Sequence, residues 1–543
     1  MTDVSNKQVE EVDVVVVGAG FAGMYLLHLL RGQGFNTVVI EAGTDVGGTW
    51  YWNRYPGARC DVPSLDYSYS FDTELEQEWE WSEKYATQPE ILSYAQHVAD
   101  RFDLRRDIRF ETRVESAIYD ESTKRWTVTT DDGAQISTQF HIMATGCLST
   151  SKKPEVPGLD SYQGQTFHTG HWPHEPVDFT GMKVAVIGTG SSGIQSIPVI
   201  AEQAAELTVF QRTPNFSIPA ANGPVDPEEV ARVKATYQDR RHANRWSAGG
   251  VDLKLPTVSA HDVGDEERTA AFEAAWQVGG IFSMSSLYTD LRLDLDANKY
   301  AADFARGKIR SRVNDPEVAE KLCPTDYPYG TKRMCVDSRY FETFNQDHVR
   351  LVDIRENPIS QITPAGLDTA HADGTTTTYE FDAIVYATGF DAMTGTIVSV
   401  DVQGVGGATI KERWEDGPRT YLGLMVADFP NFFTVTGPGS PSVLSNMMIA
   451  IEQHAEWITD CISHIRDEGL ESIAADPKAQ TDWVDHVNEL ANLTLMPQAN
   501  SWYMGANVPG KPRVFMPYIG GVGPYREICD SVATDGYRGF VLA

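Results

Sequence analysis

Apolar runs of the buried-strand kind alternate with helical stretches from the start of the chain. Asp13 to Val17 is such a run. It is followed by Gly18-Ala19-Gly20-Phe21-Ala22-Gly23, a helical stretch, and a second apolar run from Thr37 to Glu41. The same order returns at Lys183 to Ile187, then Gly188-Thr189-Gly190-Ser191-Ser192-Gly193, a helical stretch, and Leu207 to Gln211. Short continuous apolar runs bounded by glycine read as strands buried on both faces. Strand, glycine turn, helix, strand is the βαβ unit of a dinucleotide-binding fold. Each unit closes on Ala-Thr-Gly behind a further strand run. These are Ala144-Thr145-Gly146 after Phe140 to Met143, and Ala387-Thr388-Gly389 after Asp382 to Tyr386. The repeat predicts an α/β chain with two Rossmann-like dinucleotide-binding domains.

The second unit is the longer, and its pattern turns helical and charged between 222 and 329. Asp226-Pro227-Glu228-Glu229 and Asp315-Pro316-Glu317 are helix starts, with Asp as N-cap, Pro at the first helical position and Glu in the first turn. The expected layout is a first nucleotide domain over 1–150 and a second over 151–221. A helical insertion over 222–329 follows, the second domain resumes over 330–389, and 390–543 returns to the first. Ser442 to Asp467 reads as one long helix stopped near Gly469.

Of the 543 residues, 41 % are hydrophobic and 22 % charged, so fibrous and disordered classes are excluded. No run of about 18 apolar residues is present, which argues against a membrane span. The first strand run begins at Asp13, leaving no room for a signal peptide, and no lipidation box closes the chain. The formal charge is −32, which repels phosphate backbones and anionic bilayers, so no nucleic-acid or membrane partner is expected. Cys60, Cys147, Cys323, Cys335, Cys461 and Cys529 form no C-x-x-C pair. Free thiols in a reducing cytoplasm are expected, with neither a disulfide framework nor a metal site. His168, His171 and His174 are close in sequence, but Pro173 breaks helical spacing and no acid or cysteine stands beside them.

The residue ending each second strand separates the two cofactors. Glu41 would accept hydrogen bonds from ribose hydroxyls and repel a 2′-phosphate. At the same offset the second unit has Gln211, followed by Arg212 and Thr213, a guanidinium and a hydroxyl suited to that phosphate. The first site therefore reads as FAD and the second as NADP. Electrons passing from NADPH to FAD need an acceptor. Without a redox cysteine pair, oxygen leads.

Gly47-Gly48-Thr49-Trp50-Tyr51-Trp52-Asn53-Arg54-Tyr55-Pro56-Gly57-Ala58-Arg59-Cys60-Asp61 resembles the G-G-x-W-x(4)-Y-P-G-x(3)-D signature of type I Baeyer–Villiger monooxygenases. Tyr162-x-Gly164-x(3)-His168-x(3)-Trp172-Pro173-His174 resembles their F-x-G-x(3)-H-x(3)-W-P fingerprint, with Tyr162 where the pattern has Phe. The resemblance runs from about Val12 to the C-terminus. It implies conversion of a small-molecule ketone to an ester or lactone with NADPH and O2, through a C4a-peroxyflavin. It assigns Arg333 to stabilising the anionic peroxide and the adduct that follows, with Asp61 as its ion-pair partner. Arginine suits that role because it stays protonated and cannot quench the anion.

By the same resemblance Thr49, Trp50, Tyr51, Trp52, Asp61, Val62, Tyr67, Val114 and Met447 join Gly18, Gly20, Phe21, Ala22, Gly23 and Glu41 at FAD. Arg59, Cys60, Asp61, Thr189, Gly190, Ser191, Ser192, Gly193, Ile194, Gln195, Trp502 and Arg333 fall at NADP, with Lys332, Arg212 and Thr213 around its phosphate. Cys147, Leu148, Val443 and Leu444 fall on the substrate pocket, and His168 and Trp172 on a linker that couples the domains. The loop Gly437-Pro438-Gly439-Ser440-Pro441-Ser442 with Leu444-Ser445-Asn446-Met447 is similar to the phenylacetone and steroid branch, which favours aryl, bulky or linear ketones. The rival is an N- or S-oxidising flavin monooxygenase, which shares both nucleotide motifs. Trp172-Pro173 and the Gly47 to Asp61 signature argue against it. A non-catalytic flavin sensor is a third reading, and it would leave the paired cofactor sites idle. The oligomeric state is left open, a monomer being compatible.

Overall fold

The computed structural model describes residues 9–543. The first sheet is built around Glu10–Val17, which pairs in parallel with Thr37–Ile40 on one side and Gln135–Met143 on the other. Ile108–Arg109 adds beyond Thr37–Ile40. Gln135–Met143 is long enough for its outer edge to serve two partners. Its first half pairs antiparallel with Arg125–Thr130, and its last residues pair in parallel with Phe432–Thr434. Val14, Val15 and Val16 are fully buried, as expected of a central strand covered on both faces. The second sheet is wholly parallel, in the order Val349–Asp353, Glu206–Gln211, Lys183–Ile187, Ala383–Tyr386, Gln165–His168. The two βαβ cores thus share one strand order around their glycine turns, and the repeat in the sequence is a repeat in space.

Gly18 and Gly188 show why the glycine turn and the Ala-Thr-Gly recur together. Both have positive φ, +102° and +111°, in the region that favours glycine. A Cβ on Gly18 would lie 2.8 Å from the Ala144 carbonyl oxygen, and one on Gly188 2.4 Å from that of Ala387. Each turn therefore closes directly on the backbone of the matching Ala-Thr-Gly.

Five helices of five or more residues occupy the stretch between the second nucleotide unit's halves: Pro227–Ala235, Tyr237–Trp246, Asp265–Val278, Leu295–Arg312 and Pro316–Leu322. Asp226 and Asp315 cap two of them by accepting the Glu228 and Glu317 amides at 3.0 and 2.8 Å. They do not share one core. Val233 and Tyr237 join the core under the first sheet, and Ile309, Ala319 and Leu322 join the core of the second. A third core gathers around Phe272, Trp276 and Ala301.

The long C-terminal helix differs from the expectation at its start. It runs Met447–Asp467, preceded by a 3₁₀ turn over Ser442–Leu444. Ser442 has φ +42°, which breaks helical continuity, and Asn446 supplies the cap by accepting the Met448 amide at 3.1 Å. At the other end Gly469 has φ +68°. The Gly469 and Leu470 amides donate to Arg466 and Ile465, a Schellman stop. Among the described residues no helix is long and apolar enough to cross a membrane.

Candidate active site

A single cavity of about 1560 Å³ joins the two glycine turns. Gly18, Gly20, Phe21, Ala22 and Glu41 line its first end, together with Thr49, Trp50, Trp52, Tyr67 and Val114. Thr189, Gly190, Ser191, Ser192, Gln195, Arg212, Thr213 and Lys332 line the second. Arg59, Cys60, Asp61, Val62, Arg333, Cys147, Leu148, Val443, Met447 and Trp502 lie on the same wall. Five of the residues expected at the ligands are not on it. Gly23 and Gly193 sit inside their helices, where a Cβ would lie 1.8 and 2.3 Å from the carbonyl oxygens of Gly18 and Gly188. They allow helix and strand to approach. Ile194 is buried in the second core. Tyr51 is buried with its hydroxyl on the Thr44 amide at 2.9 Å. Leu444 packs against the apolar cluster around Met393 and Met504.

At the first turn Glu41 is 5 % exposed. Its carboxylate oxygens accept the Ala19 and Gly43 amides, each at 2.7 Å. Burial pushes its pKa up, and those two amides pull the other way. The carboxylate lines the cavity beside the turn, where a ribose hydroxyl could donate to it. At the second turn the matching Gln211 is turned away. It is fully buried, donates from Nε2 to the Lys321 carbonyl at 2.7 Å, and is absent from the cavity wall. Arg212, next along, takes the cavity-facing position.

Lys332 stands with it, its ammonium 4.3 Å from the centre of the Tyr327 ring. Burial, and then the neighbouring Arg212 charge, lower the Lys332 pKa to about 8. Neither Arg212 nor Lys332 forms an ion pair among the described residues, in a chain whose other cations are mostly paired. Asp326, on the same wall, offsets the Lys332 charge only in part, so this end still offers positive charge to an anion. Backbone turns that leave room for a pyrophosphate, a carboxylate at one end and cations at the other fit FAD at the first site and NADP at the second.

Between the two ends lies Arg333. Its Nε donates to Asp61 at 3.0 Å and its Nη2 to both Asp61 oxygens at 2.7 Å, while Nη1 donates to the Val443 carbonyl. Burial alone would lower its proton affinity, but Asp61 outweighs this and the net shift is upward. The pair keeps side-chain exposures of 22 % and 24 %, both toward the cavity they line. Asp61 and the Val443 carbonyl thus take four hydrogen bonds from the guanidinium, and the Tyr503 side chain approaches it as well, so the group is held firmly on the cavity wall. Cys60 and Cys147 are not nucleophiles here, since burial pushes both thiols up, Cys147 to about 11.

His168 does not line the cavity. Its Nδ1 accepts the Gly170 amide at 3.0 Å, which leaves the proton on Nε2, 3.1 Å from the Lys152 carbonyl and 3.3 Å from the Thr388 hydroxyl. It ties the segment after the first Ala-Thr-Gly to the second. Trp172 is core, stacked on Phe167 at 5.1 Å. His171 and His174 pack edge-on against Trp52 and Tyr51.

Sequence reasoning does not single out Tyr55 or Lys152. Tyr55 donates to Gln195 Oε1 at 2.8 Å, and Gln195 Nε2 donates to the Arg59 carbonyl at 3.1 Å. The Gly47 to Asp61 signature is thereby fastened to the helix of the second turn. The spacing of the signature hints at such a role for Tyr55. Nothing in the sequence marks Lys152.

Residues 15–245 match the family described as pyridine nucleotide-disulphide oxidoreductase. A Baeyer–Villiger monooxygenase of Pseudooceanicola batsensis is 42 % identical over 533 residues, covering 98 % of this chain and 96 % of the relative. The structure of an oxidized steroid monooxygenase bound to NADP superposes with a TM-score of 0.92 at 53 % identity, covering 98 % of this chain and 99 % of the other. A closed cyclohexanone monooxygenase gives 0.95 at 42 % identity, covering 99 % and 100 %. Identity of this order along the full length, on two glycine turns that open into one cavity, settles the kinship: the chain belongs to the Baeyer–Villiger monooxygenase family.

Proposed function

We propose that Arg333, held by Asp61, is the catalytic cation with which this chain turns a bulky, aryl or linear ketone into an ester or lactone. The observation that supports it best is a guanidinium carried by the second nucleotide unit, paired with a carboxylate of the first, and open to the cavity both units share. When bound, FAD and NADPH supply two electrons and activate O2, so that one oxygen atom enters beside the ketone carbonyl and the other leaves as water. The Gly18 to Gly23 turn, Glu41 and the Thr49 to Trp52 helix would hold FAD. The Thr189 to Gln195 turn, Arg212, Thr213 and Lys332 would hold NADP.

Arg333 then presents fixed positive charge to the oxygen that becomes anionic during attack on the ketone. It cannot surrender a proton to that oxygen at working pH. Asp61 fixes the guanidinium through two oxygens, so little reorganisation is needed as charge develops. The low exposure of the pair strengthens the interaction relative to water. Cys147, Leu148 and Val443 supply apolar wall for the ketone. Greater identity to the steroid than to the cyclohexanone enzyme supports the preference for larger substrates. The six unpaired thiols support a cytoplasmic location.

Removing one preorganised electrostatic stabiliser costs about 10²–10³ in rate. Arg333→Ala is therefore expected to keep FAD and consume NADPH while losing the ester by that factor, with electrons leaving as hydrogen peroxide. Ester by gas chromatography and peroxide by a coupled assay are measured in one reaction. Near-normal ester yield from the variant overturns the assignment.

A further inference from the structure

We propose that Lys152 is a third cation of the corner formed by Arg212 and Lys332, and that it reads the 2′-phosphate of NADP. This rests on the reading of the second site as an NADP site. Lys152 lines the shared cavity with Arg212, Thr213 and Lys332. It belongs to neither glycine turn nor to either signature, but to the segment that leaves the first Ala-Thr-Gly.

Its backbone is fixed from both sides. The Lys152 amide donates to the Gly389 carbonyl at 2.9 Å, and its carbonyl accepts from the Thr388 hydroxyl and lies 3.1 Å from His168 Nε2. Thr388 and Gly389 belong to the Ala-Thr-Gly on which the Gly188 turn closes. Lys152 is thus set in place relative to the second dinucleotide turn, although it is distant from that turn in sequence.

The side chain has room for an anion. Lys152 Nζ donates to the Asn507 carbonyl, and an ammonium has three donors, so two N–H groups remain. Among the described residues Lys152 forms no ion pair, like Arg212 and Lys332. Burial, and then the Arg212 charge, depress the Lys152 pKa, which places it within electrostatic reach of that guanidinium. Glu155 and Asp391 act on it in the opposite sense. Arg212 repels both Lys152 and Lys332, none of the three forms an ion pair among the described residues, and Glu155 and Asp391 at Lys152 and Asp326 at Lys332 offset that repulsion only in part. A phosphate monoester dianion relieves that repulsion, and a diphosphate chain or a neutral ribose does so less.

The contact with Asn507 gives a second consequence. Asn507 donates to the Phe390 carbonyl at 2.7 Å and belongs to the stretch that carries Trp502, which also lines the cavity. Lys152 therefore links the cavity wall that carries Arg212 and Lys332 to the stretch that carries Trp502 and Asn507.

The test uses FAD-loaded protein and two probes, adenosine 2′,5′-bisphosphate and AMP, with affinities from titration calorimetry. Lys152→Met keeps the length of the stem and removes the charge. It is expected to weaken the bisphosphate by about 10-fold or more, the size of a lost charge-assisted hydrogen bond, while AMP changes less than about twofold. Lys152→Arg is expected to restore most of the difference. Arg212→Ala is measured in parallel. If Arg212→Ala weakens the bisphosphate and Lys152→Met does not, the role of Lys152 is refuted and the NADP reading stands. If neither variant shifts the bisphosphate, the corner is not the 2′-phosphate site at all. Equal weakening of both probes by Lys152→Met moves the residue away from the 2′-phosphate and refutes the proposal as stated.

Discussion

Gly188 and Gly190 stand two residues apart in one turn, and the structure asks opposite things of them. Gly188 has φ +111°, and a Cβ there would lie 2.4 Å from the Ala387 carbonyl oxygen. Alanine at 188 must accept left-handed backbone, at about 1–3 kcal/mol, and push a neighbouring strand end aside as well. Gly190 has φ −79°, caps the helix Ser191–Ala201, and has no heavy atom within 4 Å of its virtual Cβ. Alanine at 190 costs only the poorer cap, about 0.5–1 kcal/mol, but its methyl stands in the space where a pyrophosphate would approach the turn. At a few degrees per kcal/mol, Gly188→Ala is expected to lower the apparent Tm by about 5–10 °C and Gly190→Ala by no more than about 3 °C. NADPH affinity should respond in the reverse order, with Gly190→Ala weakened by about 10-fold or more while FAD stays bound. Scanning fluorimetry of FAD-loaded protein at one heating rate gives the first quantity, and the KM for NADPH gives the second. Equal loss of stability in the two variants, or a stable Gly190→Ala with unchanged KM, would falsify the account of the turn.

Arg212→Ala is expected to raise the KM for NADPH about 10- to 100-fold and leave NADH nearly unaffected, since a charge-assisted hydrogen bond is worth roughly 1.5–3 kcal/mol. Parallel loss for both cofactors removes the 2′-phosphate assignment. Lys332, with its pKa lowered to about 8, binds an anion only while protonated, so kcat/KM for NADPH should fall as pH rises through about 8. Lys332→Arg should flatten that limb between pH 7 and 9.5. A fall that persists unchanged in Lys332→Arg belongs to another group.

The two glycine turns, their strands and their helices are legible in the sequence because each depends on neighbours a few residues away. Asp226 and Asp315 cap their helices through amides two residues on, and Gly469 ends another through its own backbone conformation. Such interactions leave fixed spacings that need no knowledge of the rest of the chain. The C-terminal helix starts at Met447 and not at Ser442 for the complementary reason. Ser442 to Asp467 has helical composition throughout. The cap that decides its first residue is Asn446, held by its Nδ2 on the Asp66 carbonyl at 2.7 Å from the other end of the chain.

The sequence by itself determined the βαβ repeat, the difference in charge between its two second-strand ends, and, through resemblance, the type of reaction. The tertiary structure decided which side chains meet. Asp61 and Arg333 are 272 positions apart and touch because the two nucleotide units face each other across one cavity. Gln211 holds the place of Glu41 in the repeat, yet its side chain leaves the cavity for the Lys321 carbonyl, so Arg212 does the facing. Lys152 reaches the same corner from a segment with no motif at all. The reason is physical. Backbone conformation and capping are short-range and write themselves as spacing, whereas the convergence of charges depends on how separately formed sheets dock, and no local pattern records that.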